Sequence, residues 1–210
     1  MSDQCTEQRF LEDIANHQMT VIQDNGVYRH LQFKRSERST YWFNIITWPG
    51  ALCINGDMGT YVFSRLPDMF EFFRMDKSDW NYNRKGGLSI NKSYWGEKLI
   101  SVCPQGKYME FSEELFDKRI LEEARQCCED WPRRKKKEFM AAVNDDVLGA
   151  GCDGSDSAYR AAMDFEFEGS HPFRDFWEVS CTEHTFHYLW CCYAIAWAIK
   201  QYDEAKEVQL

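Results

Sequence analysis

Residues 41–64, YWFNIITWPGALCINGDMGTYVFS, decide the fold. The run YWFNIITW is rich in aromatic and β-branched residues, which favour strands, and the Pro-Gly pair that follows it favours a turn. The later NGDMG supplies residues that tolerate positive φ between two further strands. Residues 27–34, just before this stretch, alternate with period 2. The sequence therefore predicts an antiparallel β-meander of three or four strands over about residues 27–65.

Helical patterns follow the meander. Ser112 is a good N-cap, and Glu113 and Glu114 suit the positive end of a helix dipole. Apolar residues then recur at spacings of three and four, which is typical of an amphipathic helix. A polar stretch from Asp76 to Gly87 is predicted to be a loop. Helices are predicted at about 68–73, 91–102, 112–131, 132–147, 158–165 and 183–202.

The order of the elements, strands first and helices after, indicates an α+β fold with a segregated antiparallel sheet. We predict that the meander packs on a C-terminal helical layer. The helix at 183–202 is apolar nearly all round between Leu189 and Ile199, so it is expected in the centre of the fold. At 210 residues a single domain, 1–210, is expected, with a sheet-rich part at about 27–75 and a helical part at about 90–203.

Composition and termini favour a cytoplasmic protein without a membrane partner. The start MSDQCTEQRF has no apolar signal-peptide core, and the longest apolar run, 188–199, is too short to span a bilayer. The nine cysteines are an odd number in a chain that is neither small nor patterned like a secreted one, so we predict reduced thiols. The high aromatic content, 16%, suits a dense core and also interface anchors.

The negative charge is concentrated late in the chain. Residues 144–183 hold ten acidic and two basic residues, a formal charge of −8 out of −9 for the whole protein, whereas residues 1–143 hold 21 of each. A surface of one sign attracts oppositely charged partners. The residues predicted to form an acidic partner-binding face are Asp145, Asp146, Asp153, Asp156, Asp164, Glu166 and Glu168. The alternatives are a solvated acidic face without a partner and mimicry of nucleic-acid phosphates.

A basic run immediately precedes this acidic segment. Basic residues are unfavourable at the start of a helix, which suggests a role other than helix stability. The run is predicted to be a secondary patch that is solvated or binds an acidic partner, including the acidic segment of a second copy in a homodimer. It consists of Arg133, Arg134, Lys135, Lys136 and Lys137.

No catalytic or cofactor motif is recognisable, so we predict no catalytic residue, no cofactor and no direct contact with nucleic acid. His184, His187 and Cys191 are a weak candidate for a metal site, because positions i, i+3 and i+7 of one helix share a face. The pairs Asp145-Asp146 and Asp164 with Glu166 leave open a divalent-metal hydrolase acting on nucleic acid or nucleotides.

Several strings resemble a family of small phage and prophage proteins that has no assigned activity. They are INGDMGTYVFSR at 54–65, DMFEFFR at 68–74, DFEFEG at 164–169 and WCCYAI at 190–195 with QYD at 201–203. The resemblance, which covers roughly residues 40–203, implies an origin in a bacterial mobile element and carries over no catalytic residue. Small acidic phage accessory proteins are often inhibitors of host immunity.

The expected function is therefore binding and inhibition of a bacterial defence system, as in an anti-CRISPR protein, through the acidic face. The expected partner is a host defence protein or nucleic-acid-binding complex with a basic surface. A metal-dependent hydrolase and a homo-oligomeric structural or regulatory phage protein are the alternatives.

Overall fold

A computed structural model describes residues 4–36, 40–74, 87–104 and 106–208 of the chain. Contacts within it divide the chain into two compact units. The first unit contains residues 3–108 and 184–210, and the second unit contains residues 109–183. The last helix of the chain belongs to the same unit as the sheet. The sequence prediction counts this helix in the helical part, about 90–203, of a single domain and places it in the centre of the fold.

Strands dominate the first part of the chain and helices the second, as in the predicted α+β fold. The strands are β1 (Gln18–Asn25), β2 (Tyr28–Lys34), β3 (Phe43–Trp48), β4 (Ala51–Gly56), β5 (Gly59–Ser64), β6 (Leu99–Val102), β7 (Met109–Phe111) and β8 (Thr182–His184). The helices are α1 (Glu7–Ile14), α2 (Met69–Phe73), α3 (Lys92–Gly96), α4 (Glu113–Cys127), α5 (Arg133–Asp146), α6 (Ser155–Asp164) and α7 (Phe186–Glu207).

The sheet of the first unit is a six-stranded antiparallel meander in the order β1-β2-β3-β4-β5-β6. Its register aligns Ile45 with Leu31 on one side and with Ile54 on the other, so that apolar side chains share one face. The predicted meander is confirmed, and it gains a strand at each edge. The predicted helix at 91–102 is wrong in its second half, because Leu99, Ser101 and Val102 pair with β5.

The core of the first unit lies between one face of the sheet and α7. Half of the 22 residues of α7 are buried, which confirms the predicted central helix. Trp190 packs edge-on against Phe10 of α1 and Phe43 of β3, with ring centroids 5.1 and 5.6 Å apart. The helix begins at Phe186 instead of 183, because the Thr185 side chain accepts a hydrogen bond from the Tyr188 amide and so caps it.

An ion-pair network connects the edge of this sheet with α2 and α7. Arg29 of β2, only 8% exposed, donates two hydrogen bonds to Asp68, at 2.9 and 2.8 Å, and lies over the Phe70 ring. Asp24 of β1 accepts a hydrogen bond from the Tyr202 hydroxyl at 2.9 Å and pairs with Lys206 at 2.6 Å. These polar contacts add to the packing of Tyr202 on Phe70 in holding the end of α7 against the strands.

The second unit has an aromatic core of its own. Phe116 of α4 packs edge-on against Phe176, and Phe139 of α5 contacts Phe165 and Phe173, which follow α6. The three predicted helices are present with shifted ends. The third starts at Ser155, three residues earlier than predicted, directly after the turn that ends at Gly154.

Two further sequence predictions concern the whole chain. None of the nine cysteines, all of which are described, forms a disulfide bond in the structure. In the part of the chain that the structure describes, none of the helices is both long and apolar enough to cross a membrane. The loop predicted at 76–87 lies outside the described residues except for Gly87.

The buried ion pair predicts an asymmetry between two identical substitutions. Asp68→Asn keeps the shape of the side chain but leaves the Arg29 charge without its counter-ion, so the free energy of unfolding is expected to fall by about 2 kcal/mol. Asp203→Asn is the matched control, because Asp203 also takes two hydrogen bonds from an arginine, Arg74, but both side chains are at least one-third exposed. It is expected to cost at most about 0.5 kcal/mol. Urea denaturation measures both, and equal losses would contradict this ranking.

The same network predicts sensitivity to acid. Burial raises the pKa of Asp68, but hydrogen bonds from Arg29 and the Phe70 amide outweigh it, so the pKa lies below its ordinary value of 3.8. The Lys206 hydrogen bond likewise lowers the pKa of Asp24. A carboxylate with a lowered folded-state pKa stabilises the fold above its unfolded pKa, and this contribution is lost as the pH falls through the folded value. The double variant Asp24→Asn/Asp68→Asn is therefore expected to lose less stability than the wild type below about pH 4. If the free energies of unfolding of the double variant and the wild type fall in parallel as the pH is lowered, this prediction is refuted.

Candidate functional site

The division of the chain into two units also divides its charge. Residues 109–183, the second unit, hold 19 acidic and ten basic residues, a formal charge of −9. All the remaining residues hold 15 of each. The whole net charge of the protein therefore belongs to the second unit, which is the unit that contains the predicted acidic face.

All seven residues of the predicted acidic face are exposed. Asp145 and Asp146 end α5, Asp153 ends the 3₁₀ turn Ala150–Asp153, and Asp156 lies in the first turn of α6. These four, which surround the connection between the two helices, are called the α5–α6 acids below. The connection is able to turn here because Gly149 and Gly154 have φ values of 82° and 104°.

The other three predicted acids lie at the opposite end of α6. Asp164 is its last residue, and Glu166 and Glu168 follow in the turn after it. From Asp156 to Asp164 the helix rises about 12 Å, more than the Debye length of about 8 Å at physiological salt. The acids of the predicted face therefore form two groups that act separately on a partner. The second group, Asp164, Glu166 and Glu168, is called the turn acids.

The two groups of acids differ in how far neighbouring basic side chains neutralise them. Lys135 Nζ lies 2.5 Å from Glu168 Oε2, and His171 Nε2 lies 4.0 Å from Glu166 Oε2, where it forms an ion pair only when protonated. By contrast, none of the α5–α6 acids forms an ion pair with a described Lys, Arg or His. Asp145 accepts a hydrogen bond from the Asn144 side chain, which is neutral. The α5–α6 acids are thus the uncompensated part of the predicted face.

The basic run at the start of α5 is largely engaged within the chain. Arg134 pairs with Glu138 at 2.9 Å, Lys135 pairs with Glu168 and lies over the Trp131 ring, and Lys136 donates to the Glu129 carbonyl. Arg133 and Lys137 are exposed and have no ion pair with the described residues. The sequence predicts an attraction between the basic run of one copy and the acidic segment of a second copy. In the structure, part of this attraction occurs within one chain, between Lys135 and Glu168.

Helix α5 carries charges that oppose its dipole at both ends. Its first five residues are basic, no side chain caps it, and its last two residues are Asp145 and Asp146. Cations near a helix N-terminus and anions near its C-terminus are each unfavourable. The stability of the helix therefore does not explain why the two aspartates are at its C-terminal end. Their position points to a role at the protein surface.

The weak metal candidate loses its geometric basis. His184 lies in β8, before the helix, so His184, His187 and Cys191 do not share one helix face. Cys191 is buried, its thiol points to the Met58 carbonyl at 3.7 Å, and burial raises its pKa well above the ordinary value. Within residues 4–36, 40–74, 87–104 and 106–208, no group of three or more His, Cys, Asp or Glu side chains is placed to hold a metal ion.

No protein-family model matches the chain, and no curated protein and no solved structure matches it.

The inverted charges of α5 predict a gain in stability when the aspartates are neutralised. Asp145→Asn/Asp146→Asn is expected to raise the free energy of unfolding by about 0.3 kcal/mol or more per residue, with a smaller gain at high salt. Glu113→Gln/Glu114→Gln is the matched control, because these acids lie in the first turn of α4, where they favour the helix. The control is expected to lower stability. Urea denaturation at two salt concentrations tests both, and a loss in the aspartate variant would show that the two residues serve the fold.

Proposed function

We propose that this chain is a binding protein that presents the α5–α6 acids to a basic surface of another protein. The observation that carries the proposal is the pair Asp145 and Asp146, exposed, without a counter-ion among the described residues and placed where they oppose the dipole of their own helix. Such residues cost folding stability, so a use outside the fold explains them best. Asp153 and Asp156 extend the same uncompensated charge to the start of α6.

The proposed binding surface is smaller than the seven-residue acidic face predicted from the sequence. The turn acids are set apart by the length of α6, and Lys135 already neutralises Glu168. An incoming cation would have to compete with that ion pair, whereas the α5–α6 acids are available without such competition. We therefore assign the primary contact to Asp145, Asp146, Asp153 and Asp156 and a minor contribution to Asp164 and Glu166.

The partner class follows from the charge and from the resemblance of the sequence to phage proteins. The proposed partner is a host defence protein or complex in the bacterial cytoplasm, with a basic surface that normally binds nucleic acid. Clustered carboxylates would occupy that surface in place of phosphates, and the protein would block it without chemistry. Complementary charge of this kind raises association rates and makes binding sensitive to salt.

Charge reversal at the four α5–α6 acids tests the proposal. Asp145, Asp146, Asp153 and Asp156 are changed to Lys together, and the tagged protein is used to capture partners from lysate of a bacterial host that carries the defence system. The captured partner is then titrated with purified protein. The reversal is expected to weaken binding by at least about tenfold and to abolish protection of an infecting phage.

A control separates local charge from net charge. Glu110, Glu129, Asp130 and Glu178 are exposed acids of the same unit outside the predicted face, and their change to Lys alters the net charge by the same amount. This control is expected to retain capture and phage protection. If both variants behave alike, the α5–α6 acids are not the contact surface.

A further inference from the structure

The side of the first unit's sheet that faces away from α7 has a composition of its own. Strand register places His30, Ile46, Cys53 and Val62 in one row across β2 to β5. A second row consists of Gln32, Asn44, Asn55 and Thr60. Because side chains alternate along a strand, both rows lie opposite the buried Leu31, Ile45 and Ile54. These eight residues are called the outer face.

The outer face is not part of a core. Ile46, Cys53 and Val62 are apolar and partly exposed, and none belongs to the cluster of side chains that packs around α7. Tyr28 of β2 and Trp48 of β3 alternate in phase with the outer-face residues of their strands and so lie on the same side of the sheet. Their side chains are 49% and 39% exposed. His30 Nε2 is buried but has no hydrogen-bond partner among the described residues.

The outer face is also free of charge. None of its eight residues is Asp, Glu, Lys or Arg, and strands β3, β4 and β5 contain no charged residue at all. Solvent-facing sides of antiparallel sheets are usually polar, and charged side chains are a common protection against association. Depletion of charge together with exposed Tyr and Trp is instead the composition of the centre of a protein interface.

Amide side chains give this face both hydrogen-bond donors and acceptors. Gln32 Nε2 donates to Asn44 Oδ1 at 3.4 Å, and Asn44 Nδ2 donates to Asn55 Oδ1 at 3.0 Å. Gln32 and Asn55, which are partly exposed, keep further donor and acceptor capacity, whereas Asn44 is buried between them. A neutral surface with both functions complements a copy of itself, whereas it offers no counter-charge to a charged partner.

The size of the outer face suits a small, weak dimer interface. Its four strands, β2 to β5, with about six residues each, cover roughly 20 by 20 Å, or about 400 Å² per copy, from strand spacing and rise. Two such faces bury about 800 Å², which is within the range of weak, transient interfaces. Two sheets packed face to face are also a standard arrangement, with inner side chains interdigitating.

We propose that the outer face binds the outer face of a second copy, so that the protein forms a two-fold symmetric homodimer through its first unit. In such an interface the same residues of both copies meet, so Ile46, Cys53 and Val62 form its centre. The proposal does not depend on the acidic surface, because it involves only the uncharged sheet of the other unit.

The oligomeric state of the full chain tests the proposal. Sedimentation velocity and light scattering at high micromolar concentration are expected to show a particle of two chains. Ile46→Lys and Thr60→Lys place a charge on the outer face, and each is expected to yield a monomer, because the charge would be desolvated at the interface. Thr60→Lys removes no apolar side chain, and thermal unfolding checks that both variants remain folded.

Two further variants give the controls. Leu11→Lys changes an exposed apolar residue of α1, away from the sheet, and is expected to remain dimeric. Ile22→Lys changes an exposed residue of the edge strand β1 and is also expected to remain dimeric. A monomeric wild type, or a dimer that persists in both outer-face variants, overturns the proposal. Loss of the dimer in Ile22→Lys alone overturns it in favour of pairing between edge strands.

Thiol alkylation provides a readout in the unmodified protein. Cys53 lies in the centre of the outer face and Cys152 is exposed in the second unit. Alkylation of Cys53 is expected to become slower as protein concentration rises through the dimerisation range, while that of Cys152 stays constant. Mass spectrometry of the labelled peptides measures both. An unchanged rate at Cys53 while the particle mass doubles excludes this face as the interface.

Discussion

The first unit depends on the packing of one nearly all-apolar helix against one face of a meander. The aromatic rings of β2, β3 and α7 meet there: Phe33 stacks on Phe43 at 4.7 Å, and Trp190 and Trp197 pack edge-on around them. A sheet with one apolar face must bury that face against another element. The polar contacts at the rim, Asp13 with the Trp190 indole and Arg29 with Asp68, then fix where the flanking helices lie. The sheet, in turn, presents on its opposite side the eight uncharged residues of the outer face.

The net charge is unevenly divided between the two units. The first unit is neutral overall and contains the larger apolar core, whereas the second unit holds the whole net charge of the protein on a small helical scaffold. Within the second unit, the basic run neutralises Glu168 through an ion pair. The four acids around the α5–α6 connection form no ion pair with the described residues. The unfavourable charges lie at the two ends of α5, so their cost in stability falls on one helix and not on the core.

The sequence predicts the elements whose signals are local and repeated. The strands around Pro49-Gly50, the cap at Ser112 and the apolar helix at 186–207 follow from turn chemistry, capping and periodicity. Strands β1 and β6 are not predicted, because an edge strand is specified by its neighbour: the mostly exposed β1 shows no burial pattern, and residues 99–102 become a strand only by pairing with β5. For the same reason the sequence cannot show that Lys135, 33 positions before Glu168, neutralises it. The exposure of the acids is predictable from their polarity, but their division into two groups depends on where α6 begins and ends.

The chain order of the first unit has a consequence for its biogenesis. Its sheet is complete by residue 102, but α7, which covers the apolar face, leaves the ribosome only after the whole second unit has been translated. Domains generally fold as units in the order of their synthesis. During translation the nascent meander therefore carries Phe33, Phe43 and Phe63 without their helix while residues 109–183 are made and folded. The core is therefore completed only after the second unit has been translated, and until then this apolar face lacks its covering helix.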